Sequence, residues 1–281
     1  MTTMNRTLRT LFPRTLLAVA LAGVSLSAAA HRPWLYPQQT MVESKEAWVT
    51  IDGAISEGLF DIDHVALKLD GATVTGPDGA TAPIPTPFLG KQRSTFDLKM
   101  PKDGTYKIAL VSQTVMASYK DKAGETKRFR GTQEAFAKEV PSNAAELRTT
   151  HNHSRLETFV SANSNTTGAL KPSGVGLELV PVTHPTDLRV GEKATWRFTL
   201  DGKALPNFEF SLIPGGVRYR GTLGEIRLST DAKGEVSVTL PTAGMYALSA
   251  AYPVARPATG ADAPPSARRY TYTATLEVLP E

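Results

Sequence analysis

Five histidines, His31, His64, His151, His153 and His184, carry most of the chemistry this chain can offer. Imidazole changes charge near neutral pH and is the commonest protein ligand for transition metals. There is no cysteine, which excludes disulfides, thiol catalysis and thiolate metal sites. His31 has a further property if the chain is cut directly before it. It then offers a free α-amine and an imidazole from one residue, the two donors of a histidine brace. The amine has an unperturbed pKa of ~7.7–8, so displacing its proton at neutral pH costs little. Two such nitrogens favour nickel, cobalt or copper over magnesium or calcium.

His64 closes the run Phe60-Asp-Ile-Asp-His, where Asp61 and Asp63 fall on one side of an extended segment. Asp63 is thereby a weaker candidate, as a ligand or as a group orienting His64. His184 precedes Pro185, which keeps it out of helix and on a loop. His151 and His153 form a His-x-His pair that shares a face only if extended, and the next strand, read as Leu156 to Val160, begins after it. The metal set expected from sequence is His31, His64 and His184, with Asp63, His151 and His153 as weaker members. No Gly-x-Ser-x-Gly, phosphate loop or His-Glu-x-x-His is present, so no catalytic residue is assigned. Arg218 and Arg220 read as neighbours on one strand face.

The cut before His31 is expected from the first thirty residues, and a cut after Ala29 satisfies the same small-residue rule. Arg6, Arg9 and Arg14 precede a short apolar run, and Ala28-Ala29-Ala30 supplies small residues at the end. This is the order of a cleavable secretory leader, and its apolar run is too short to span a bilayer. The chain has 31 Lys and Arg against 27 Asp and Glu. The leader holds three of the basic residues and no acidic one, leaving 28 against 27. A near-neutral mature chain has no basic footprint for nucleic acid. No second apolar segment predicts membrane insertion after leader removal. Pro33-Trp-Leu-Tyr-Pro37 follows at once, and aromatics there are costly to leave in water, so the mature start is expected to be docked.

The remainder reads as mostly β. Eleven short alternating runs are bounded by Gly, Pro and Asp: Trp48–Ile51, Val65–Leu69, Arg93–Leu98, Tyr106–Val111, Leu177–Val182, Thr195–Leu200, Phe208–Ile213, Glu225–Ser229, Glu235–Leu240, Tyr246–Tyr252 and Tyr270–Val278. Asp201-Gly202 and the Gly of Asp231-Ala-Lys-Gly234 mark tight reversals. An internal repeat aligns Pro101, Gly104 and Tyr106 with Pro241, Gly244 and Tyr246 at a constant offset of 140. Trp48-Val-Thr-Ile-Asp-Gly is similar to Trp196-Arg-Phe-Thr-Leu-Asp-Gly with one extra residue, as a β-bulge would give. These features predict two immunoglobulin-like or transthyretin-like β-sandwiches, over 31–161 and 177–281, joined by a linker at 162–176. A helical insert is expected near 132–140, capped by Thr132 and closed by Pro141. Lys120 to Arg130 reads as an exposed charged stretch, and 255–267 as a Pro/Ala/Gly loop.

Several segments resemble domain-of-unknown-function family 4198: Ala30-His-Arg-Pro-Trp-Leu, Phe60-Asp-Ile-Asp-His, Lys127-Arg-Phe-Arg-Gly-Thr, Ala135-Phe-Ala-Lys-Glu-Val-Pro, Leu177 to Leu188 and Ile213-Pro-Gly-Gly. The family is often labelled a nickel- or cobalt-uptake periplasmic component. The resemblance implies a periplasmic protein handling a transition metal (nickel, cobalt, copper or iron) or its chelate, with a membrane transporter or outer-membrane receptor as partner. His31, His64 and His184 are the histidines within its motifs. Two rival expectations are a metal-free structural or docking module and a copper-dependent oxidoreductase built on the same brace.

Overall fold

The computed structural model describes residues 31–253 and 264–281. The expected leader, and most of the expected loop at 255–267, lie outside the described residues. In chain order the longer strands are β1 Arg32–Pro37, β2 Ala47–Ser56, β3 Ser94–Met100, β4 Gly104–Lys120 and β5 Thr126–Gly131. Helix α1, Gln133–Glu139, leads into β6 Ala145–Ala162. Then come β7 Leu177–Pro181, β8 Lys193–Leu200, β9 Glu209–Pro214, the short helix α2 Val217–Arg220 and β10 Ile226–Ser229. The chain ends with β11 Glu235–Thr239, β12 Gly244–Tyr252 and β13 Ser266–Leu279. The protein is therefore mostly β, and all eleven strand readings fall on or overlap a strand.

Three sheets result. β1, β2 and β3 pair in that order, and a short edge strand at Phe88–Leu89 joins β3. A large sheet runs β10-β9-β12-β13-β6-β4, with β5 paired to the far half of β4. A third sheet places β8 between β7 and β11. β6 and β13 lie parallel, Thr149 opposite Ser266 through Thr158 opposite Thr275, which fuses both halves into one sheet.

Two large cores lie on this shared sheet, beside a smaller cluster of Trp34, Ala54, Leu59, Ile213 and Ala247. β1 to β3 bring Leu35, Val49, Ile51, Phe96 and Leu98 against Tyr106 and Ile108 of β4 and Leu156 and Val160 of β6. The third sheet brings Leu179, Trp196, Phe198 and Val236 against Phe210, Leu212, Leu248, Tyr272 and Phe159. Leu156 and Val160 point one way from β6 and Phe159 the other, because successive side chains of a strand alternate. The two cores therefore sit on opposite faces of β6. Residues 31–281 form one compact unit, and the two expected sandwiches take the form of two cores on one sheet.

The repeat is structural. Tyr106 donates its hydroxyl to the carbonyl of Lys102 at 2.8 Å, and Tyr246 to that of Thr242 at 3.0 Å. Each is a tyrosine corner, a tie that immunoglobulin-like sandwiches use to fix a strand entry. Gly104 and Gly244 take φ of 125° and 129°, which only glycine adopts readily.

The tryptophan alignment is corrected. Trp196 is fully buried, whereas Trp48 is 48% exposed beneath the ammonium of Lys99. The buried alternation matches Ala47, Val49 and Ile51 to Trp196, Phe198 and Leu200, out of phase with the tryptophans. No bulge interrupts either pairing. Helix α1 forms as expected, with the Thr132 hydroxyl accepting from the Ala135 N–H at 3.2 Å. The charged stretch after Lys120 folds back as β5. Arg218 and Arg220 lie on α2 instead of a strand, where Arg220 donates to the carbonyls of Pro214, Gly215 and Leu223.

Candidate metal site at the start of β1

β1 is anchored on both faces. Leu35 enters the first core, and Trp34 turns the other way against Ala54, Leu59, Ile213 and Ala247. The Trp34 indole donates to the Ser56 hydroxyl at 2.7 Å, and that hydroxyl donates to the carbonyl of Gly58. The aromatic start is thus docked, and Arg32, opposite Ser56, fixes where His31 must lie.

The loop after β2 then delivers the second imidazole. Asp63 accepts the backbone N–H groups of Glu57 and Gly58 at 3.1 and 2.9 Å, which closes the loop. Each carboxylate oxygen accepts one N–H in this way, so Asp63 positions the loop that carries His64, the second of the two roles expected of it. Phe60 holds φ of 64°, a conformation rare for a bulky side chain. Its ring packs edge-on to Trp34 and Tyr36, which over-determines the strained backbone. Gly215 leaves room for it, since a Cβ there would sit 3.1 Å from the ring.

The outcome is that His64 stacks on His31, ring centroids 4.0 Å apart and planes 26° from parallel. The Glu57 carboxylate lies 3.5 Å from His31 Nε2. The His31 side chain is 42% exposed, so the pair faces solvent from a fixed base. With metal–nitrogen bonds of ~2 Å, one ion can reach two rings at this spacing after modest rotation. The donors fit a transition ion in chemistry, and the α-amine of a processed His31 would add a third nitrogen. Among the described residues no group of three or more His, Asp or Glu side chains is arranged to hold a metal. A complete site therefore depends on that amine.

His184 does not join them, and its place in the metal set is corrected. Its Nε2 is 3.1 Å from the carbonyl of Thr166 and 3.0 Å from the Thr105 hydroxyl. A carbonyl only accepts, so Nε2 carries the proton and Nδ1 accepts from the backbone N–H of Thr186 at 3.4 Å. Thr105, Ser161 and Thr186 hydroxyls complete the chain of bonds, and Thr186 donates to Asn165. Thr105 lies beyond the Ala47 end of β2, and His31 beside the Ser56 end. Those ends are about 30 Å apart at ~3.3 Å per residue. His184 ties the entry of β4 to the segments around Thr166 and Thr186.

His151 and His153 lie within β6, a strand that begins at Ala145 and so runs further back than Leu156. They do share a face, remote in sequence register from β1, and His153 packs edge-on to Tyr270. Sequence reasoning missed the buried ionic cluster next to them. Arg155 reaches Glu157 at 3.2 Å and Glu178 at 3.5 Å, and the Tyr272 hydroxyl donates to Glu157 at 2.7 Å. The available clue was Arg155 and Glu157 alternating with apolar residues, a pattern that reads as a solvent face.

A family model described as Domain of unknown function (DUF4198) matches residues 28–253. No curated protein matches. Among solved structures, the human OSCAR ligand-binding domain shares 13% identity over 88% of this chain and 99% of its own, with a TM-score of 0.21. The D0-D1 domain of Intimin shares 12% over 87% and 97%, with a TM-score of 0.22.

Proposed function

The chain belongs to the Domain of unknown function (DUF4198) family, and from that premise we propose that the processed protein is an exported, periplasmic binding protein for a transition-metal ion or its chelate. The stacking of His64 on His31 is the observation that carries this reading. A terminus presenting amine and imidazole from one residue loses little entropy on chelation, and β1 and the Asp63-closed loop hold the second ring in place. Nickel, cobalt and copper suit three nitrogens. The solvent-facing position suits an ion held as cargo and passed to a membrane partner, because ligand exchange needs access.

The test is metal titration of two proteins, one beginning at His31 and one with a single extra residue before it. The extension turns the amine into an amide and leaves every side chain intact. Nickel or copper should bind the extended form at least about ten-fold more weakly, the equivalent of ~1.4 kcal/mol. Equal affinity for both would overturn the brace, and binding by neither would overturn the metal function.

A further inference from the structure

A trough opens on the shared sheet well away from β1. Its floor is two cross-strand rows on one face: Val115, His151 and Arg268, then Gln113, His153 and Tyr270. Gln133 of α1 forms one wall, and Val175 and Asp201 form the other. The open trough has a volume of about 320 Å³, the size of a small organic metabolite.

The charges are arranged asymmetrically. Asp201 already accepts the Gly176 N–H at 2.9 Å. Next to the floor, further along the same face, Glu157 and Glu178 are engaged by Arg155, Tyr272, Ser173 and Gly174. Arg268 stands opposite His151, and its guanidinium makes no ion pair or hydrogen bond among the described residues. Burial, and then the Arg155 charge, hold His153 below its ordinary pKa of 6.5. Its neutral ring both donates and accepts near pH 7. A cation placed between the two imidazoles would sit beside the Arg268 guanidinium, which opposes it. An anion would meet that guanidinium, the imidazoles, two amide side chains and a phenol, with Tyr270 and Val175 offering apolar surface.

We propose that this trough binds a small organic carboxylate, its carboxyl group paired with Arg268 and its body lying over His153 and Tyr270. The guanidinium fork matches a carboxylate in two parallel hydrogen bonds. The site is separate from the His31–His64 pair and does not depend on it.

Citrate is the probe, titrated calorimetrically into the processed protein, into Arg268→Gln and into Tyr270→Phe. Arg268 is exposed and lies in neither core. Saturable citrate binding, weakened about ten-fold or more in Arg268→Gln, is expected from the loss of a charge-assisted bond. Tyr270→Phe should weaken it less. No citrate binding, or equal affinity in wild type and Arg268→Gln, would overturn the proposal. Nickel binding that is lost in His151→Gln, without any citrate binding, would overturn it in favour of a metal site.

Discussion

Leu156 and Phe159 lie three residues apart on β6 and pack into different cores. One strand thus supplies opposite faces to both halves of the molecule, and its parallel pairing with β13 runs through the same stretch. Nothing in the 162–176 segment has to transmit force between the halves, because the sheet already does.

Both cores should therefore unfold together. Leu156→Ala should cost ~2–5 kcal/mol and Phe159→Ala ~3–5 kcal/mol, each a buried side chain replaced by a cavity. Urea unfolding followed by tryptophan fluorescence and by far-ultraviolet circular dichroism should give one coincident transition for wild type and both variants. Two separated transitions in Phe159→Ala would show that the halves are independent.

The two tyrosine corners make matching contributions. Tyr106→Phe and Tyr246→Phe each delete one hydroxyl and its bond to an upstream carbonyl. Each should lower stability by about 1 kcal/mol, the usual net worth of such a bond. Tyr106→Phe also removes an acceptor from the Lys102 N–H at 2.9 Å, and Tyr246→Phe a partner of the Thr242 hydroxyl at 2.7 Å. Denaturation midpoints that leave either variant at wild-type stability would show that its corner is ornamental.

The corners were legible because Pro-x-x-Gly-x-Tyr is local: the turn, the positive φ and the hydroxyl's partner lie within six residues. The tryptophan match misled for the opposite reason. Trp48 and Trp196 agree in type, but burial depends on strand phase, and the phase is set by Val49 and Ile51 against Phe198 and Leu200. The far halves of β4 and β6 were illegible because only part of their length faces an apolar core. The His31–His64 contact depends on the register of Arg32 opposite Ser56 and on a loop closed by Asp63. Neither is encoded by the spacing between the histidines.

Tyr272 makes stability fall in alkali. It is buried against Glu157, and burial first, then the Glu157 charge, raise its pKa well above 10.0. The folded phenol stays neutral where the unfolded one ionises. Its contribution is fully present below pH ~10 and is lost as pH rises from there towards the folded value. Urea midpoints measured from neutrality to above pH 10 should decline, and Tyr272→Phe should make that decline shallower. Tyr36 and Tyr106 are raised by burial too, so a residual slope should remain. An unchanged slope in Tyr272→Phe would exclude this origin.

Gly176 should resist substitution. Its φ is 75°, and a Cβ there would fall 2.1 Å from Nδ1 of His153. Gly176→Ala must bear a left-handed penalty of ~1–2 kcal/mol and displace the imidazole. Loss of at least ~1 kcal/mol in thermal or urea unfolding is expected, together with a shifted His153 ring resonance. An unperturbed His153 spectrum would mean that the ring does not rest against this glycine.

His184 separates a structural role from a ligand role. Its ring links Thr186, two residues along, to Thr166 and to Thr105, which lies 79 residues away in sequence. His184→Ala leaves polar partners buried without it and should lower stability by ~1–3 kcal/mol. It should leave nickel or copper affinity of the processed protein unchanged, because β2 separates it from His31 by about 30 Å. His64→Gln should do the reverse, lowering metal affinity with little change in unfolding, since His64 is exposed and its loop is held by Asp63. Metal affinity falling in His184→Ala while stability holds would restore His184 to the ligand set and contradict the geometry described above.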